Sequence, residues 1–130
     1  MMNMNNLFCD NFIRKYIIDL KKDRLIYEYN SKKRQNCIMR FCHNAEILIK
    51  KNCIKRKGKS EDIIMYLRKN DSYFIVSTKY DSGTYMNYDD LKKYLDDDLL
   101  VVIIISENFS IVREEVEYDS TAYLISSNDI

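Results

Sequence analysis

The chain has 130 residues but only two glycines, Gly58 and Gly83, and no proline. Glycine and proline mark most turns and element ends in a sequence, so the boundaries between helices and strands are weakly indicated here. A glycine-rich loop that wraps a phosphate needs several closely spaced glycines, which this chain does not have. The GxSxG and HExxH motifs are absent as well. The sequence therefore contains no catalytic signature of these kinds.

The length and composition predict a single globular domain that spans residues 1–130. A hydrophobic content of 46% with 32% charged residues is typical of globular rather than disordered chains. The order of helical and strand-like patterns predicts an α+β fold. We expect a mostly antiparallel sheet, an N-terminal amphipathic helix and a second short helix near residues 88–96.

The first half of the chain permits two secondary-structure interpretations. Apolar residues recur every three or four positions from Phe8 to Leu20, which predicts a helix over residues 7–22. The following apolar and aromatic runs predict a hairpin with strands at 25–29 and 37–42, and then a strand at 46–50. The alternative is one helical stripe formed by Ile38, Phe41, Cys42, Ala45, Leu48, Ile49 and Cys53. Whether residues 37–53 form strands or a helix stays open.

The patterns of the second half are clearer. Two β-rich runs predict strands at 62–68 and 73–79, joined by a turn of Asn and Asp residues. Residues 81–83 end the second strand, and Asn87 is placed to cap the short helix. The apolar run at 99–105 predicts a strand buried on both faces. Further strands are expected from Ile111 and over residues 121–126.

The charge of the chain is divided between its two halves. Residues 1–60 contain 15 Lys or Arg and 5 acids, whereas residues 61–130 contain 6 and 15, so a total of +1 hides halves of +10 and −9. In one interpretation these charges pair or intermix in the fold. In a second they form two faces that attract a charged protein partner or favour self-association. In a third the basic face binds nucleic-acid phosphates.

The nucleic-acid interpretation depends on two basic segments. Its residues are Lys32, Lys33, Arg34, Lys50, Lys51, Lys55, Arg56, Lys57 and Lys59. These segments are not interleaved with the aromatic residues that would stack on bases. The simplest interpretation of residues 55–59 is a solvated turn, followed by a strand rather than a short helix capped by Ser60.

The acidic half supplies the first choice of protein-binding surface. Its residues are Asp89, Asp90, Asp96, Asp97, Asp98, Glu114, Glu115 and Glu117. Carboxylates at this density also bind divalent cations and serve in hydrolases, but the calcium-binding loop pattern of EF-hands is absent. For the cluster at 89–98, a solvated helix that ends in an acidic loop is favoured over a cation site.

One group of residues has the chemistry of zinc ligands. Cys37, Cys42, His43 and Cys53 form the pattern C-x4-C-H-x9-C, which does not match the C-x2-4-C spacing of standard zinc sites. Buried thiols that behave as small apolar side chains are the favoured interpretation. We therefore predict no metal and no cofactor.

The sequence as a whole predicts a small, non-enzymatic binding protein that acts by occupying a protein partner through a charged face. A nucleic-acid-binding module and a small metalloprotein or hydrolase are the alternatives. Four cysteines without a secretion signal predict an intracellular, cytoplasmic protein, with the nucleus as an alternative. The codons of its commonest residues suggest an A/T-rich genome, such as that of a virus, a phage, a low-GC bacterium or a parasite. No membrane association is expected, and homo-oligomerisation stays open.

Overall fold

The computed structural model describes residues 7–96, 101–114 and 120–127. They form an α+β fold with an antiparallel sheet, as the sequence predicted. The strands are β1 (Ile54–Lys59), β2 (Ser72–Ser77), β3 (Thr84–Asn87), β4 (Val102–Ile105), β5 (Ser110–Glu114) and β6 (Thr121–Ile125). A π-helix (Cys9–Ile13) continues as α1 (Arg14–Tyr16). It is followed by α2 (Asp19–Tyr29), α3 (Arg34–His43), α4 (Ala45–Leu48), a 3-10 turn (Lys51–Cys53), α5 (Ser60–Ile64) and α6 (Tyr88–Leu95).

The sheet is the central layer of three. Its strand order is β1-β6-β5-β4-β2-β3, so β1 and β3 form the two edges. Successive side chains of a strand face opposite sides, and both sides of the sheet are covered. The helices from the π-helix to α4 pack on the side that includes Val76 and Ile103. Helices α5 and α6 pack on the side that includes Ile75 and Ile104.

The predicted N-terminal helix over residues 7–22 is interrupted. Ile17 has an extended backbone with ψ of 143°, and it forms an isolated antiparallel bridge with Ile49. The Lys50 amide donates to the Tyr16 carbonyl at 2.8 Å beside this bridge. The break changes the orientation of the chain, and Leu20, expected on the apolar stripe, is 85% exposed.

The predicted hairpin at residues 25–42 is wrong, because both segments are helical. Leu25 and Tyr29 are buried, whereas Tyr27 between them is 76% exposed. On a strand these three side chains would share one face, while on a helix residues i and i+4 share a face that residue i+2 does not. Helix α3 confirms the helical alternative for the start of the 37–53 region. The predicted strand at 46–50 is also wrong, since α4 covers most of it.

The predicted strand at residues 62–68 is wrong for the same physical reason. Ile63 and Leu67 are buried, and Met65 between them is 80% exposed. This segment forms α5 and the turn after it, so Ser60 begins a helix rather than preceding a strand. The partner strand predicted at 73–79 is confirmed as β2.

The remaining predictions for the second half are confirmed where the structure describes them. The Asn87 side chain caps α6 by accepting a hydrogen bond of 2.8 Å from the Asp90 amide. Gly83 lies in the turn before β3 with a positive φ of 87°. Strands β4, β5 and β6 occupy the predicted runs, although residues 99 and 100 lie outside the described part.

Candidate binding surface

Strand β1 lies at one edge of the sheet, where it pairs with β6 on one side only. The register runs from Ile54 opposite Ile125 to Lys59 opposite Thr121, with a bulge between Ile54 and Arg56. The turn predicted at residues 55–59 is therefore wrong. An edge strand presents backbone N–H and C=O groups to which a further strand can pair. Strand β1 thus offers a hydrogen-bonding backbone together with its side chains.

Four exposed cations follow one another along this edge, and only Gly58 interrupts them. They are Lys55, Arg56, Lys57 and Lys59. Arg56 Nη1 donates to the Tyr66 hydroxyl at 2.8 Å, and Lys57 Nζ donates to Glu46 at 2.9 Å. The hydrogen bond to Glu46 raises the pKa of Lys57, so this ammonium group stays charged. Lys55 Nζ donates to the Asn52 carbonyl at 3.0 Å, so neighbouring elements hold three of the four cations in place.

Exposed apolar side chains flank β1 on both sides of the sheet. Met65 and Tyr66, which follow α5, are 80% and 41% exposed. On the opposite side, Ile47 of α4 is 72% exposed and adjoins Glu46, the partner of Lys57. A chain lying along β1 would meet apolar groups on either face and cations in the middle.

The ion pairs found among the described residues lie within the basic half of the chain. Every ion pair found among the described residues joins two residues of the first sixty. These pairs are Asp10 with Arg14, Asp19 with Lys22, Glu28 with both Arg24 and Arg40, and Glu46 with Lys57. Within the part of the chain that the structure describes, none of them connects the two halves. The acids of the basic half are too few to neutralise its cations.

The second basic segment lies far from β1. Arg34 Nη1 donates to the Ser82 hydroxyl at 3.0 Å, and Gln35 donates to the Thr78 carbonyl at 3.1 Å. Both contacts are with the β2–β3 connection. Strands β1 and β2 are separated by three strands, or roughly 19 Å at the usual strand spacing. Lys32, Lys33 and Arg34 therefore do not form one continuous patch with β1, whereas Lys50 and Lys51 immediately precede it.

The acidic residues are also divided. Asp89 and Asp90 are exposed in the first turn of α6, and Asp96 follows its last turn. Asp97, Asp98, Glu115 and Glu117 lie outside the described residues. Glu114 is on the side of the sheet opposite α6, because its neighbour Arg113 contacts the end of that helix. The structure thus separates Glu114 from the aspartates with which the sequence grouped it.

Glu114 instead lies beside the β1 edge. It lines a depression of about 210 Å³ together with His43, Glu46, Lys57 and Tyr123. His43, at the end of α3, is exposed. This depression places two carboxylates and the single histidine next to the row of cations, and it adds polar groups to the candidate surface.

The cysteines of the C-x4-C-H-x9-C pattern are core residues. Cys37, Cys42 and Cys53 are buried free thiols, while His43 points to the surface. Burial raises the pKa of Cys37 to about 11 and also raises that of Cys42, which is the direction expected for thiols in apolar surroundings. Among the residues described, no three His, Cys, Asp or Glu side chains gather to hold a metal ion.

Sequence reasoning did not identify Glu46, Ile47, Met65 and Tyr66 as parts of a surface. The exposure of Met65 could have been predicted from the sequence. Ile63 and Leu67 are four residues apart and share one face of a helix, so Met65, midway between them, points away from that face if the segment is helical. The position of Glu46 beside Lys57 has no such signal, since it depends on how α4 packs near β1.

The chain matches no protein-family model, no curated protein and no solved structure. None of the helices within the described ranges combines the length and the apolar character needed to cross a bilayer.

Proposed function

We propose that this is a non-enzymatic binding protein that recognises an acidic, extended segment of a protein partner along the edge of β1. The observation that carries the proposal is that an edge strand contains four exposed cations within five residues. A bound segment would pair with the β1 backbone, as peptides do when they add a strand to a sheet. Its acidic side chains would lie near Lys57 and Lys59.

The apolar flanks support a protein partner rather than a nucleic acid. Alternate side chains of a strand point to opposite faces, so an added strand would place some side chains near Met65 and Tyr66 and others near Ile47. Nucleic-acid binding draws on phosphate contacts and aromatic stacking. The other basic segment lies at the opposite edge and cannot extend a phosphate-binding track from β1.

Lysine on an edge strand also has a protective role, since it discourages unwanted pairing between sheets. An experiment must therefore separate binding from protection. The probe is a fluorescent synthetic peptide of alternating Glu and Val, compared with one of alternating Lys and Val. Fluorescence anisotropy should detect binding of the acidic peptide alone, and the affinity should fall as salt increases.

Charge reversal supplies the matched controls. The triple variant Lys55→Glu, Lys57→Glu and Lys59→Glu should abolish binding of the acidic peptide. The double variant Lys32→Glu and Lys33→Glu, at the opposite edge, should change it little. Failure of the native protein to bind the acidic peptide, or equal losses in the two variants, would refute the proposal. Binding of DNA but not peptide, lost in the triple variant, would favour the nucleic-acid alternative.

The acidic surface stays a prediction for Asp89, Asp90 and Asp96, which are exposed at the two ends of α6. The same anisotropy experiment tests this alternative surface, because binding of the basic peptide instead of the acidic one would favour it over β1.

A further inference from the structure

A second surface feature lies between α2 and the α3–α4 segment, and it adjoins the β1 surface at Ile47. It is a groove of about 260 Å³, lined by Lys21, Arg24, Leu25, Glu28, Arg40, Phe41, Asn44, Ile47 and Leu48. Leu25 and Phe41 are core residues, so the groove reaches down to the apolar interior. Its size falls just below the range of roughly 300–1,000 Å³ for small-molecule sites.

Two arginines in this groove share one carboxylate. Arg24 Nε donates to Glu28 Oε1 at 2.8 Å, and Arg40 contacts the other oxygen, Oε2. The Glu28 side chain is only 13% exposed, whereas those of Arg24 and Arg40 are 70% and 52% exposed. Each guanidinium carries five N–H donors, and one carboxylate cannot accept from all of them. Glu28 thus positions two guanidinium groups and leaves donors available to an additional anion.

The charges of the lining favour such an anion. The lining contains three cations, Lys21, Arg24 and Arg40, and a single carboxylate, which leaves an excess of positive charge. Guanidinium groups bind carboxylates through paired hydrogen bonds. Beside them, the exposed Ile47 and the half-buried Leu48 provide apolar surface above the buried Leu25 and Phe41. The groove therefore combines a place for a negative head group with a place for an apolar tail.

We propose that the groove binds a small amphipathic carboxylate with an aliphatic tail. Its carboxylate would lie between Arg24 and Arg40, and its tail would lie against Ile47 and Leu48, above the buried Leu25 and Phe41. Ile47 borders both this groove and the β1 surface, but the charged side chains that would bind the ligand differ between the two sites.

Octanoate is the probe, followed by chemical-shift changes in NMR titrations of the full chain. We expect dissociation constants on the order of 1 mM, in line with the modest free energy per atom of simple ligands. Octanamide tests the need for the negative charge, and acetate and inorganic phosphate test the need for the tail. All three should bind at least about tenfold more weakly, a difference of about 1.4 kcal/mol.

The variants Arg24→Met and Arg40→Met should each weaken octanoate binding at least about fivefold, because each removes a charge-assisted hydrogen-bond donor. Lys21→Met should weaken it without disturbing the Glu28 pairs, and it serves as the test if an arginine variant does not fold. Arg14→Met is the matched control: Arg14 also pairs through Nε with a carboxylate four residues away, Asp10 at 2.9 Å, but it lies outside the groove.

Three outcomes would overturn the proposal. The first is that octanamide or phosphate binds as tightly as octanoate. The second is that Arg14→Met weakens octanoate binding as much as Arg24→Met does. The third is that octanoate shows no saturable binding. The variants Arg24→Met and Arg40→Met should leave peptide binding at β1 unchanged, so each proposal can fail without the other.

Discussion

The Arg113 side chain on β5 donates a hydrogen bond of 3.0 Å from Nη1 to the backbone carbonyl of Leu95, the last residue of α6. Arg113 is buried, with 2% of its surface exposed. The final carbonyls of a helix lack partners within the helix and form the negative end of its dipole. A cation from the sheet therefore satisfies the helix end and joins α6 to β5.

Replacing Arg113 should lower stability markedly. Arg113→Met keeps much of the apolar stem but removes the donors, so the Leu95 carbonyl loses this buried hydrogen bond. We expect the free energy of unfolding to fall by about 2 kcal/mol, measured by urea denaturation. Arg68→Met, at an exposed position in a turn, should change it by less than about 0.5 kcal/mol. Equal losses in the two variants would contradict the role given to Arg113.

The two glycines should respond in opposite ways to alanine. At Gly83 the backbone has a φ of 87°, and an added Cβ would lie 2.1 Å from Cζ of Phe74. Gly83→Ala should therefore destabilise the fold by about 2 kcal/mol or more.

Gly58 is the matched control, since its added Cβ would approach Ile63 no closer than 3.7 Å. Alanine restricts the unfolded chain more than glycine does. Gly58→Ala should thus be neutral or raise the thermal midpoint slightly. A lower thermal midpoint for Gly58→Ala than for Gly83→Ala would contradict the positive φ and the close contact with Phe74 at Gly83.

The cap of α6 should be measurable separately. Asn87 accepts from the Asp90 amide at 2.8 Å, and loss of such a cap typically costs about 1 kcal/mol. Asn87→Ala should lower the urea midpoint accordingly. Asn108→Ala, in the exposed β4–β5 turn, should have little effect, and a comparable shift there would argue against a capping role.

The buried thiols predict how stability depends on pH. Burial raises the pKa of Cys37 from 9.0 to about 11. Between these values the unfolded thiol loses its proton and the folded thiol keeps it, so the contribution of Cys37 to stability falls as pH rises above about 9. Thermal midpoints measured from neutral pH to about pH 10 should decline.

Cys37→Ala should make this decline shallower, because it removes one of the groups responsible. An unchanged slope in the variant would contradict the assignment to Cys37. In the same pH range, iodoacetamide should label Cys37 much more slowly in the folded protein than in urea, since the thiolate is the reactive form.

The sequence errors have a common physical origin. Leu25, Tyr27 and Tyr29 are large apolar or aromatic residues at alternate positions, a pattern that fits a strand as well as a helix. The helix is identified by the burial of Leu25 and Tyr29 together with the exposure of Tyr27. Which of these side chains is buried cannot be read from the sequence. The same ambiguity applies to Ile63, Met65 and Leu67 in α5.

The candidate surface could not be predicted from the sequence for a different reason. The cations of β1 were recognised, but not that they lie on a strand, because the polar run KRKGK has little strand propensity. It becomes a strand by pairing with β6 far along the chain. The contact between Lys57 and Glu46 and the exposure of Met65 beside the strand follow from the same packing.

What the sequence by itself determined is local: the Asn87-capped helix, the apolar central strands, the turn at Gly83 and the imbalance of charge between the two halves. These features depend on residues a few positions apart, so their pattern is visible in the chain. Only the tertiary structure decided that β1 is an edge, that the two basic segments lie at opposite edges and that Glu114 is separated from α6. These depend on strand order and on which elements pack together, and both are set by contacts between residues distant in sequence.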